Sequence, residues 1–203
     1  MAEPALLEWG VATRALEGQT ESGDLAVVAP FPDGVLAGVV DGLGHGPEAA
    51  RAARAAVDLL HDCAGQSLER LAQLSHEELK QTRGAVMSLA AFFGSTDTVV
   101  WLGLGNVQGR LIRRLDSEKP AFQSLPLVGG IVGYRMPLLR SVTLPVAPGD
   151  VLILATDGIR GNFSRPRDVF AKPADVAQRL LEKEMTGLDD ALVMVVRYVG
   201  ASP

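Results

Sequence analysis

One cysteine, Cys63, stands in a chain of 203 residues. It has no partner for an internal disulfide, which fits a reducing compartment. Basic residues are also short: 19 Lys and Arg against 24 Asp and Glu leave a formal net charge of −5. A nucleic-acid footprint needs a basic face, so that partner class is excluded. Met1-Ala2-Glu3-Pro4 lacks the basic and apolar regions of a secretory leader. No apolar run approaches the ~20 residues needed to cross a bilayer. Internal repeats, low-complexity tracts and linkers are missing too. The expectation is one cytoplasmic domain over residues 1–203, with no membrane and no nucleic-acid partner, acting as a monomer.

What is present is a globular composition, 47% hydrophobic and 21% charged. Val35 to Val40 is an apolar run that reads as a buried strand. It ends on Asp41, and Gly42, Gly44 and Gly46 follow at alternate positions before Pro47 opens a helical pattern. Asp beside flexible backbone at a strand end suits a metal ligand, and a neighbouring glycine carbonyl can approach the same ion. A second strand of this kind, Val151 to Thr156, ends on Asp157-Gly158. Ser22-Gly23-Asp24 and Leu188-Asp189-Asp190 add two more acidic points at strand boundaries.

Hydrophobic periodicity gives strands over Leu6–Ala15, with Trp9, Val11 and Thr13 on one face, and over Leu25–Ala29 and Val35–Val40. A helix follows from Pro47 to about Ala64. A second helix, capped by Ser67, has Leu68, Leu71, Leu74 and Leu79 as core residues and a solvated set at His76, Glu77, Glu78 and Lys80. Strands are then expected over Ala85–Phe93, Thr98–Leu104, Val107–Leu115, Phe122–Val128, Leu138–Pro145 and Val151–Ala155. Asp116 to Pro120 is read as a turn, and Gly129 to Gly133 as a bend. Ala174–Met185 forms a helix and Ala191–Val199 the last strand. Strands and helices do not alternate, so a mostly antiparallel, layered α+β fold is favoured over a doubly wound parallel sheet.

If Asp24, Asp41, Asp157 and Asp189 converge, their mutual repulsion raises some of their pKa values, and divalent cations relieve it. A carboxylate, carbonyl and water site with no nearby Cys and no His pair selects Mg²⁺ or Mn²⁺ over zinc. Two such ions can activate a water and hold a phosphoryl group for in-line attack.

The motif set Ser22-Gly23-Asp24, Val40-Asp41-Gly42-Leu43-Gly44, Gly105-Asn106-Val107, Thr156-Asp157-Gly158 and Asp189-Asp190-Ala191-Leu192-Val193 resembles, in that order, the metal-dependent protein phosphatases of type 2C. It is most similar to the short bacterial members of their SpoIIE-like branch that serve stressosomes. Arg83-Gly84-Ala85 and Leu125-Pro126-Leu127 extend the likeness.

The resemblance implies a four-layer αββα sandwich of two mostly antiparallel sheets flanked by helices. It also implies a serine/threonine phosphoprotein phosphatase with two divalent cations, Mn²⁺ or Mg²⁺. Asp41 would bridge both ions and Gly42 would lend its carbonyl. Asp24 would support one ion, Asp157 and Asp189 the other, with Asp190 as the alternative to Asp189. Asp41 and Asp157 are the catalytic candidates. The substrates implied are phosphorylated scaffold and antagonist proteins of a bacterial stress-signalling complex.

The sequence departs from larger members at Asn106 and Gly161, where they often carry carboxylates for a third ion. Arg14 lies near the place of a phosphate-gripping Arg, and Gly129 to Pro137 is short for a flap. His45 is a further acid candidate, in a loop where a solvated turn residue is the plainer reading.

Two rivals remain. Gly42-x-Gly44-x-Gly46 after a strand resembles a dinucleotide loop, but Pro47 occupies the third glycine's slot and Asp41 would face a phosphate. A non-catalytic interaction module of the same fold is opposed by the acidic set, which is costly to bury without metal.

Overall fold

Val35 to Val40 has no polar position, so a strand built from it needs cover on both faces. The computed structural model describes residues 6–114, 122–161 and 168–201, and it supplies that cover. Among the described residues the order is β1 (Leu7–Arg14), β2 (Asp24–Phe31), β3 (Gly34–Gly42), α1 (Pro47–Asp62), α2 (Leu68–Glu78), β4 (Ala85–Phe93), β5 (Thr98–Leu104), β6 (Gln108–Ile112), β7 (Phe122–Ser124), β8 (Val142–Pro145), β9 (Val151–Ala155), α3 (Pro173–Glu184) and β10 (Ala191–Tyr198). They form two five-stranded sheets, in the orders β1-β10-β9-β6-β7 and β2-β3-β4-β5-β8. Every ladder in both is antiparallel.

Side-chain alternation divides each strand between two cores. In β3, Ala37 and Val39 point between the sheets, where they meet Phe92, Trp101, Leu154, Met194 and Tyr198. Leu36 and Val40 point the other way, onto Ala53, Ala56 and Leu60 of α1 and Leu71 of α2. In β10, Val193 and Val195 pack with Val176, Ala177 and Leu180 of α3. The layers therefore run helices, sheet, sheet, helix, as the α+β sandwich expectation required. Trp101 fits the inter-sheet layer because Gly103 and Gly109 carry no side chain: a Cβ at Gly103 would lie 2.3 Å from its indole ring.

Local chemistry sets the helices. Pro47 takes the first turn of α1 behind Gly46, whose φ of 75° favours glycine. Ser67 caps α2 by accepting from the Arg70 N–H. A short 3-10 turn, Leu79–Gln81, follows α2.

Several expected boundaries move. The strand expected over Val107–Leu115 spans Gln108–Ile112, and those expected over Phe122–Val128 and Leu138–Pro145 shorten to β7 and β8. Both are outer strands with one partner, and their ladders stop at Ser124 opposite Arg110 and at Val142 opposite Trp101, partway along β6 and β5. The turn expected at 116–120 lies outside the described residues. Trp9 keeps its expected parity with Val11 but is 52% exposed, because β1 and β2 are both edge strands and leave the sandwich open there. Leu74 is only half-buried while Ser75 is buried, and His76, expected in solvent, accepts a hydrogen bond from the Gly133 N–H at 3.0 Å.

Candidate active site

Four strand ends meet at one end of the sandwich. In one sheet β2 begins where β3 ends, and the register sets Asp24 opposite Asp41. In the other, β9 ends just before Thr156-Asp157 and β10 begins just after Asp189-Asp190. Antiparallel pairing makes an end and a beginning neighbours, so residues far apart in sequence become adjacent.

Thr156 joins the two sheets. Its hydroxyl donates to Asp24 Oδ2 at 2.8 Å and accepts from the Leu192 N–H at 2.9 Å. Asp190 ties down the chain leading into β2. One carboxylate oxygen accepts from the Leu16 N–H at 2.7 Å and the other from the Gly23 N–H at 2.6 Å. The Gly42 N–H donates to the Gly23 carbonyl at 3.0 Å. Small residues are needed in this corner. A Cβ at Gly42 would come within 2.2 Å of the Ala49 carbonyl oxygen, and one at Gly158 within 2.0 Å of the Asp190 carbonyl oxygen.

The carboxylates load the site with negative charge. Burial pushes Asp41 up to about 9, and the charges of Asp24, Asp157, Asp189 and Asp190 add to the shift. Burial likewise raises Asp24 to about 7, against the opposing hydrogen bond from Thr156. Asp157 is raised by burial and by Asp189, partly offset by its own and Gly158's backbone N–H and by Asn106, whose amide donates to Asp157 Oδ2 at 2.7 Å. Among the described residues, no three His, Cys, Asp or Glu side chains are drawn to the spacing of a finished metal cage. Repulsion between neighbouring carboxylates opposes such convergence. The donor set still fits hard divalent cations: all oxygen, several like charges, and a half-buried Asp41 pushed up by burial and by the charges around it.

Asp41, Asp157 and Asp189 line one pocket of about 350 Å³, together with Leu43, Val86 and Ile131. Asp24 lies behind them, 2% exposed. The two adjacent aspartates, indistinguishable by spacing, separate here: Asp189 faces the pocket, while Asp190 is buried with both oxygens on backbone N–H groups. His45 is exposed on its loop and does not line the pocket. Arg14 is exposed at the end of β1, its backbone opposite Ala191. A Cβ at Gly161 would meet the Gln108 amide at 2.8 Å. The bend after Gly129 is pinned to the sheet by pairing of Val132 with Ala85 and of Val128 with Leu104. Sequence reasoning missed Thr156 and Asp190 as supports; a hydroxyl directly before a strand-end Asp was the available signal for Thr156.

A larger apolar groove, of about 570 Å³, lies at the other end of β3, beside Trp9, Phe31, Pro32 and Gly34. It is remote from these carboxylates, and size alone does not carry chemistry.

The two-sheet sandwich with helices on both outer faces is the fold of the solved PP2C-type phosphatases that it matches. Residues 32–200 match the family model described as Stage II sporulation protein E (SpoIIE), and the chain belongs to that family. It is 27% identical to the phosphoserine phosphatase RsbX of Bacillus subtilis (strain 168) over 143 residues, 70% of each chain. A chain from a structural study of the bacterial stressosome, adapted to control secondary messenger signalling, is 30% identical. It superposes with a TM-score of 0.86 over 94% of this chain and 99% of that one. The crystal structure of RsbX in complex with magnesium has a TM-score of 0.78 at 19% identity, covering 94% of both chains, and speaks for the fold.

Proposed function

We propose that this chain is a phosphoserine/phosphothreonine protein phosphatase whose single domain, residues 1–203, works with two divalent cations, Mn²⁺ or Mg²⁺, held by Asp24, Asp41, Gly42, Asp157 and Asp189. The observation that carries the reading is the group of carboxylates, Asp41 raised to about 9 among them, facing one solvent-open pocket. Buried like charges are costly unless a cation or a proton neutralises them. When bound, the cations lower the pKa of a water and neutralise charge on the phosphoryl oxygens.

The chain's own residues do the rest. Asp41, at the end of β3 opposite Asp24, would be shared between the ions. Asp157 and Asp189 present oxygens from the second sheet. Asp24, fixed by Thr156, would support one of the ions, directly or through water. Asn106 orients the Asp157 carboxylate by its amide bond. Leu43, Val86 and Ile131 limit water on one side of the pocket. With Asn106 and Gly161 where larger members of the family often carry carboxylates, two ions would be held by the protein and any third only weakly.

The substrates proposed are phosphorylated scaffold or antagonist proteins of a bacterial stress-signalling complex in the cytoplasm. The support is the likeness to RsbX and to the stressosome-study chain. The test is calorimetric titration with Mn²⁺, with phosphate release from a phosphoserine protein measured on the same sample. Two ions per chain and metal-dependent release are expected. Release that persists in chelator would overturn the reading.

A further inference from the structure

The pocket that holds Asp41, Asp157 and Asp189 has a second, apolar half. Val86 stands directly across the ladder from Asp41, so the two side chains share a face. It is 8% exposed and leans over Gly105, where a Cβ would lie 2.2 Å from a Val86 methyl. Gly105, with φ of 92°, takes a conformation that leaves this space to Val86. Leu43 reaches in from the loop after β3, its N–H bonded to the Gly84 carbonyl. Ile131 comes from the bend, fixed by its N–H on the Arg135 carbonyl at 2.9 Å and by the neighbouring Val132 to Ala85 pairing. The apolar wall is therefore held by backbone hydrogen bonds on three sides, and its lining is continuous with the carboxylates.

We infer that this wall is a specificity subsite for an aliphatic side chain next to the phosphorylated Ser or Thr of the substrate. The inference rests on the phosphatase reading, which places the phosphoryl group at the carboxylates. A residue adjacent to the phosphorylated one has its Cα about 3.8 Å along the chain, so its side chain reaches the neighbouring wall. Burying an aliphatic group there removes apolar surface from water on both partners. An acidic residue at the same place is disfavoured, because its charge would be desolvated against Leu43, Val86 and Ile131. The pocket thus selects for one neighbour and against another.

The test is a panel of phosphoserine peptides carrying Leu, Gly or Asp at either adjacent position. They are hydrolysed in Mn²⁺ by the wild-type chain, Ile131→Ser and Gly129→Leu. The wild type is expected to favour Leu over Gly by at least about tenfold in kcat/KM at one of the two positions, and Gly over Asp there. Ile131→Ser removes wall from a half-exposed position, and the Leu to Gly ratio is expected to fall to within about threefold. Gly129 lines the pocket and a Cβ there meets nothing within 4 Å. Gly129→Leu is therefore tolerated by the fold and is expected to shrink the ratio by occupying the subsite. The ratio is read within each variant, so a loss common to both peptides cancels. Equal rates for all flanks in the wild type would overturn the subsite and leave the phosphatase reading intact. No release from any peptide would overturn both.

Discussion

Removing the Asp190 carboxylate separates a positioning role from a metal-ligand role. In Asp190→Ala the Leu16 and Gly23 N–H groups, now bonded at 2.7 and 2.6 Å, lose their acceptors in a corner where Asp190 is 2% exposed. Hydrogen bonds to a charged acceptor are worth about 1.5–3 kcal/mol each. Part of that loss is returned, because the Asp190 charge also raises both Asp24 and Asp41. The balance is a net loss of about 3 kcal/mol, which for a domain of this size lowers Tm by about 6–12 °C. Asp189→Asn contrasts with it. Asp189 is half-buried, and the bond that its carboxylate accepts from the Asp190 N–H at 2.9 Å is one that an Asn oxygen also accepts. Its cost to the metal-free fold is under about 1 kcal/mol. Thermal unfolding in chelator and then in excess Mn²⁺ distinguishes the two. Asp190→Ala is expected to start low and still gain Tm on adding metal, whereas Asp189→Asn is expected to start near wild type and gain little. The reverse pattern, with Asp190→Ala indifferent to metal and Asp189→Asn unstable in chelator, would refute the assignment.

Asp41→Asn replaces a carboxyl that the metal-free fold holds protonated far above the ordinary carboxylate range, so in chelator at pH 8 it is expected to gain about 1–3 kcal/mol. That is a Tm higher by about 3–10 °C, read by differential scanning calorimetry, while phosphatase activity is lost. Gly42→Ala drives a Cβ onto the Ala49 backbone and is expected to cost about 1–3 kcal/mol in chemical denaturation and to weaken Mn²⁺ binding. Asp24 and Asp41 have folded pKa values raised to about 7 and about 9, so the folded metal-free state binds more protons than the unfolded one. Its stability is therefore greatest below the ordinary carboxylate range and declines as pH rises through 7 towards 9. Cations must displace those protons, so apparent Mn²⁺ affinity is expected to rise by up to about tenfold per pH unit over the same window, as calorimetry at several pH values would read.

The part of the fold legible in the sequence is the part whose signal is local. Val35 to Val40 reads as a strand because both its faces are covered, and Asp41-Gly42 marks its end because Asp and Gly favour turns. Pro47 and Ser67 likewise announce α1 and α2 where the structure has them. The lengths of β7 and β8 were not legible, since each ladder stops partway along its partner, at Arg110 and Trp101, and no local signal marks that point. The division of labour between Asp189 and Asp190 was hidden for the same kind of reason. The two are identical neighbours, and what separates them is Leu16 and Gly23, 174 and 167 residues away in sequence. Thr156 reads as an ordinary strand terminus until the sheets are stacked and its hydroxyl reaches Asp24. His76 sits on a polar stretch of α2, and the hydrogen bond it accepts comes from the distant bend at Gly133.

Phosphate release from a phosphoserine peptide in Mn²⁺, by the wild type and by Asp157→Asn, tests the central claim most directly. Asp157 is exposed beside Asn106, so its loss leaves the fold standing and reports on the chemistry. Wild-type release that disappears in chelator, with Asp157→Asn slower by at least about a hundredfold, is the predicted result. Equal release by the two proteins, or release that ignores the chelator, would contradict a carboxylate-held metal centre at this corner of the sandwich.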